Sequence, residues 1–177
     1  MMRPLALSAL WLAAASSLAL AQPAAPPAQQ AAPARGPAMA LALEAAQTAI
    51  SSCTASGTKV SAAVVDSAGV LRVLLSADGA SAQSVEFGTK KAFTANALKA
   101  ATYDMQQKMK TDPALAAKLN ADTSLRVTPG GLPLMAGSDV IGGIGVGGSP
   151  TLNGVAGGER DAMCAQAGVD KIKDRLK

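Results

Sequence analysis

The sequence predicts an α+β domain, a mainly antiparallel sheet flanked by helices. Three observations carry that reading. Apolar residues recur at helical spacing near the start of the region beyond residue 37, and a closing helix is read at its end. Between these ends, residues 60–75 and 132–146 each form a β-type stretch that folds back on itself as a hairpin. The resulting order is helix, hairpin, helices, hairpin, helix, which fits an antiparallel sheet better than alternating parallel units.

The elements follow in chain order. Met39, Leu43, Ala46, Ile50 and Cys53 form one apolar stripe on a helix over residues 38–56, and Gly57 ends it as a left-handed cap. Residues 60–65 and 70–75 are β-type runs joined by Asp66-Ser67-Ala68-Gly69. Asp78-Gly79-Ala80-Ser81 closes the hairpin, and Ser81 suits the N-cap of a helix over 82–100 that buries Val85, Ala92, Phe93 and Leu98. Residues 102–110 suggest a further turn or short helix, and Pro113 suits the first turn of a helix over 114–119. A brief strand is expected over 124–127. The Gly130-Gly131 turn, the second hairpin, a loop over 147–158 and a closing helix over 159–176 complete the domain.

The second hairpin holds an unusual run, Val140-Ile141-Gly142-Gly143-Ile144-Gly145-Val146-Gly147-Gly148. Glycine inside a strand marks a bulge or a close approach of other backbone. A helix, a partner subunit or a flat ligand packed against this strand would each account for it.

The first 37 residues have a different character. Arg3, an apolar stretch over 5–20 and Ala19-Leu20-Ala21 fit a secretory leader cleaved after Ala21. Residues 22–37, rich in Ala, Pro and Gln, read as a disordered tether. That leaves residues 38–177 as one domain of ordinary size, in a periplasmic or secreted protein. Its only aromatics are Phe87, Phe93 and Tyr103, so its core depends on small aliphatic side chains.

Charge excludes one class of partner. The net charge of +4 is spread along the chain, and base-stacking aromatics are scarce, which argues against nucleic-acid binding. Cys53 and Cys164 are the only cysteines, and an even count in an exported chain favours a disulfide. Two buried thiols or a soft metal site are the alternatives. With no histidine in the chain, neither a Ser-His-Asp nor a Cys-His nucleophile can be assembled. Gly143-x-Gly145-x-x-Gly148 matches a dinucleotide fingerprint in letters only, because a loop sequence follows where a helix must begin. Asp66, Asp78 and Asp139 sit in turn contexts, where aspartate usually caps its own backbone.

Asp78-Gly79-Ala80, Lys91 with Thr94 and Ala95, the turn Gly130-Gly131-x-Pro133, and Asp161 with Ala165 together resemble the GlcG/HbpS family of haem-degrading or haem-binding domains. The resemblance runs from Ala38 onward, and the family's arginine position before Asp78 is Ser76 here. It implies a profilin-like fold with the first and last helices on one side of the sheet, which would set Cys53 beside Cys164. It also implies homo-oligomers and a small-molecule ligand, haem or a related tetrapyrrole. Asp78, Lys90, Lys91, Thr94, Tyr103, Gly130, Gly131 and Pro133 are then candidate ligand-binding positions. Without histidine, Tyr103, Met105 or Met109 are the candidates for a haem-iron ligand. A ligand-free assembly subunit and an enzyme or accessory protein acting on a small organic acid are the alternative readings.

Overall fold

The structure, a computed structural model, describes residues Pro33–Lys177. The expected leader and most of the expected tether lie outside the described residues. At the tether's end, the Ser67 amide donates to the Arg35 carbonyl (2.8 Å) and the Arg35 side chain pairs with Asp139 (2.7 Å).

The chain runs α1 (Met39–Ala55), β1 (Ser61–Asp66), β2 (Leu71–Ser76), α2 (Ala82–Leu98), α3 (Thr102–Thr111), α4 (Pro113–Ala121), β3 (Gly131–Ala136), β4 (Asp139–Gly147) and α5 (Gly157–Ile172). A 3₁₀ turn, Lys173–Arg175, finishes it. The strands form one antiparallel sheet in the order β2-β1-β4-β3. Pro133 lies on β3, an edge strand, where its missing N–H disturbs the ladder least.

Alternation along β1 separates the two faces of the sheet. Ala62 and Val64 join Ile144 and Val146 beneath α1 and α5, whereas Ala63 and Val65 meet Ala92 of α2 on the other side. The terminal helices thus share a face, as expected. Cys53 on α1 and Cys164 on α5 form a disulfide with a Cα–Cα distance of 5.6 Å, which removes the free-thiol and metal alternatives.

Several local expectations hold. The Ser81 side chain accepts from the Ser84 amide at 3.2 Å, Pro113 opens α4, and Gly57 has a φ of 77° just past α1. Asp66 is buried and accepts from the amides of Ala68 and Val70 at 3.0 Å, a turn role.

Other expectations fail for a common reason. On α1 the buried residues are Ala42, Ala45, Ala46, Ala49 and Cys53, while Met39 is 70% exposed. On α2 the buried set is Ser84, Gly88, Lys91, Ala92, Thr94, Ala95 and Asn96, with Val85, Phe93 and Leu98 only half-buried. Both helices approach their neighbours too closely for large side chains. A Cβ on Gly168 of α5 would lie 2.5 Å from the Ala45 carbonyl oxygen, and one on Gly145 of β4 would collide with Gly88 O and Ala92 N of α2. Gly143, Gly145 and Gly147 therefore face a helix of their own chain, and no partner or flat ligand can occupy that face.

Two further departures are local. No strand forms over 124–127, where the chain crosses irregularly between α4 and the Gly130-Gly131 turn. The last helix begins two residues early and gives way to the 3₁₀ turn.

Candidate functional site

Lys91 occupies the inner face of α2 among small residues, and its stem passes under the Gly130-Gly131 turn. Gly130 has a φ of 123°, and a Cβ there would stand 2.8 Å from Lys91 Nζ and 2.7 Å from Val146 O. The ammonium donates to Asp161 Oδ2 (2.7 Å) and to the Val146 carbonyl (3.0 Å). Both charged side chains are almost completely buried. Asp161 lies in the second turn of α5, and its other oxygen accepts from the Ser149 amide at 3.0 Å. Burial pushes the Lys91 pKa down; Asp161 opposes this and the nearby Arg126 charge adds to it.

This ion pair forms one wall of a cavity of about 560 Å³ between α2, the segment before β3 and the start of α5. Phe87, Pro129 and Pro150 give it apolar surface, and Arg126, Thr128 and Glu159 give it polar surface. Thr94 anchors the crossing segment: its hydroxyl donates to Lys90 O (2.7 Å) and accepts from the Arg126 amide (2.8 Å). That bond fixes Arg126 with its guanidinium 3.3 Å from the centroid of the Phe87 ring, a cation–π contact. Thr102 does the same for the glycine turn, accepting from the Gly131 amide at 3.0 Å.

The structure thus gathers Lys91, Thr94, Gly130 and Gly131 of the sequence candidates around one junction. Their polar groups are engaged by other parts of the protein. The remaining candidates lie elsewhere. Asp78 borders a separate cavity of about 470 Å³ with Thr58, Lys59 and Ser76. Ser76, at the family's arginine position, shares a hydrogen bond with Ser61 (2.8 Å). Lys90 pairs with Glu86 at 3.0 Å on the outside of α2. Tyr103 is exposed on α3 with Met105 and Met109 half-buried near it, and none of the three lines the larger cavity. Pro133 is half-buried on β3 and does not line it either.

Arg126, Thr128 and Phe87 carried no sequence signal for this place. Leu125-Arg126-Val127 reads as a strand fragment, and only the fold turns it toward α2. The dinucleotide reading falls, because β4 runs into a loop and α5 starts only at Gly157. Among the described residues no three His, Cys, Asp or Glu side chains cluster to hold a metal ion.

Comparison with known families gives a match to the model described as haem degrading protein HbpS-like, over residues 38–170. The chain belongs to the HbpS-like family. Its fold is similar to the crystal structure of HbpS, with a TM-score of 0.71 and 30% identity over 84% of this chain and 99% of that one. A double mutant of HbpS from Streptomyces reticuli gives the same TM-score and identity over 86% and 98%. The complex of PduOC with haem has a TM-score of 0.66 at 24% identity over 76% and 94%, a likeness of fold. No curated protein matches the chain. In this HbpS-like domain the matched region contains the sheet, all five α-helices to within two residues of the end of α5, and the whole cavity wall.

Proposed function

We propose that this HbpS-like protein is an exported binding protein for haem or a related tetrapyrrole, taken up in the cavity beside the Lys91–Asp161 pair. The observation that carries the reading is the wall itself. About 560 Å³ lies within the range of small-molecule sites, and it combines apolar surface with a few convergent polar groups. The family match and a haem complex within the same fold support the choice of ligand class.

The wall does not fit a haem iron. The chain has no histidine, both cysteines are joined in the disulfide, and no tyrosine or methionine lines the cavity. Binding here rests on the flat ring and its acidic substituents. Titration with haem and with metal-free protoporphyrin tests this directly. Saturable binding of both with similar affinity is expected. Binding of haem alone would mean an iron ligand elsewhere, and absence of both would end the tetrapyrrole reading.

One observation favours the ligand-free assembly reading instead: the motif residues Lys91, Gly130, Gly131 and Asp161 are consumed by contacts with one another. The same titrations decide between the two.

Export agrees with a disulfide, which persists in oxidising compartments. Among the described residues no helix is long and apolar enough to cross a membrane. The intact mass of the exported product checks the leader, since a mature chain beginning at Gln22 is expected. Self-association stays part of the proposal, although the glycine strand is not its surface. The edge strand β2 leaves Leu71 and Leu74 exposed beside Val70, apolar surface of the kind that subunits cover.

A further inference from the structure

We infer that Arg126, Thr128 and the first turn of α5 form a carboxylate-binding subsite in the larger cavity. The inference rests on the tetrapyrrole reading for the size of the ligand, but the subsite itself needs only a carboxylate.

Charge balance singles out Arg126. Lys91 and Asp161 neutralise each other at 2.7 Å, and Glu159 is exposed at the rim. The Arg126 guanidinium makes no ion pair and no hydrogen bond among the described residues, and its Nε is buried without a partner. The Thr128 hydroxyl is also buried without a partner. Native proteins leave few buried polar groups unsatisfied, because each costs the desolvation it has not recovered. The two residues that carry these groups both line one cavity.

The opposite side of the cavity adds further donors. The sixteen-residue helix α5 begins at Gly157, and Ala156 at its N-cap has no side chain able to accept from the first amides. Gly157 and Gly158 line the cavity, and a Cβ on Gly158 would lie 3.1 Å from Pro129 O. The loop carrying Thr128 and the helix start are therefore adjacent. A guanidinium held flat against Phe87, a hydroxyl and a positive helix end suit a planar, singly charged oxyanion that can bind in bidentate fashion. A carboxylate is that group. The Glu159 carboxylate in the same turn disfavours a doubly charged phosphate.

The test is an amide NMR titration of the oxidised protein with sodium propionate, against sodium chloride at equal ionic strength and against inorganic phosphate. Saturable shifts at Thr128, Gly157, Gly158 and Glu159 are expected with propionate. Arg126→Gln should weaken that binding by about ten- to a hundredfold, as loss of a charge-assisted hydrogen bond predicts. Arg126→Lys, which keeps the charge without the fork, should fall between. The wild-type titration is decisive even if a variant folds poorly. No saturable shift at these amides, an undiminished response in a folded Arg126→Gln protein, or tighter binding of phosphate than propionate would each overturn the subsite. Protoporphyrin and its dimethyl ester separate this claim from the tetrapyrrole reading. Propionate binding without porphyrin binding keeps the subsite and removes the tetrapyrrole. Equal binding of porphyrin and ester, with no response to propionate, does the reverse.

Discussion

Gly145→Ala is the substitution on which the packing argument depends most directly. An added Cβ meets the Gly88 carbonyl oxygen and the Ala92 amide nitrogen, and it lies 3.0 Å from Ala92 Cα. All three are backbone atoms of α2, so no side-chain rotation relieves the collision. The helix must move off the central strand, which disturbs the contacts of Gly143 and Gly147 with the same helix. Overpacking costs about 1–3 kcal/mol where neighbours can adjust, and a collision with backbone belongs at the upper end of that range. Replacing glycine also restricts the unfolded chain, which returns about 0.4–1 kcal/mol. A net loss of about 2 kcal/mol follows, or roughly 7 °C in melting temperature for a domain of this size. Gly137→Ala is the control. Gly137 has a φ of 61° but nothing within 4 Å of an added Cβ, so it reports the cost of conformation alone, about 1 kcal/mol. Urea unfolding followed by circular dichroism, with the disulfide intact, measures both. A Gly145→Ala protein as stable as wild type, or more stable than Gly137→Ala, would refute the claim that α2 sits hard against this strand.

Further outcomes are expected. Reducing the Cys53–Cys164 bridge, which spans 111 residues, should lower stability by about 4–5 kcal/mol through the freedom it restores to the unfolded chain, as denaturant unfolding with and without reductant will show. Thiol counting in the exported, denatured protein should find no free cysteine. Lys91→Met leaves the Asp161 charge buried without its partner and should cost about 3–5 kcal/mol, with Asp161→Asn in the same background recovering part of the loss. Burial holds the Lys91 pKa below 10.5, so the unfolded chain binds more protons between the folded value and 10.5. The stability of wild type relative to Lys91→Met should therefore be flat near neutral pH and rise as pH approaches 10.5; a falling difference would reverse the sign of the argument. Light scattering at tens of micromolar should report an assembly larger than one chain, and a monomer would remove the self-association proposal.

What the sequence determined was the order and kind of the elements, apart from the strand expected over 124–127. Helical spacing, the Asp66–Gly69 turn, Ser81 and Pro113 are local signals, and local sterics and capping act over only a few residues. The even cysteine count in itself favours the Cys53–Cys164 bridge. Tertiary structure decided which faces are buried. Met39 and Leu43 looked like core by hydropathy, yet α1 packs through Ala42, Ala45 and Ala49, because the tight α1–α5 contact leaves no room for longer side chains. The same close packing turned the glycines of β4 toward α2 and made Lys91 a buried ionic link. The cavity was least legible of all. It joins residues near 87, 126 and 157, and the orientation of Arg126 depends on an amide bond to Thr94, 32 residues away. A sequence pattern records spacing along the chain, whereas this wall exists only where three separate segments meet in space.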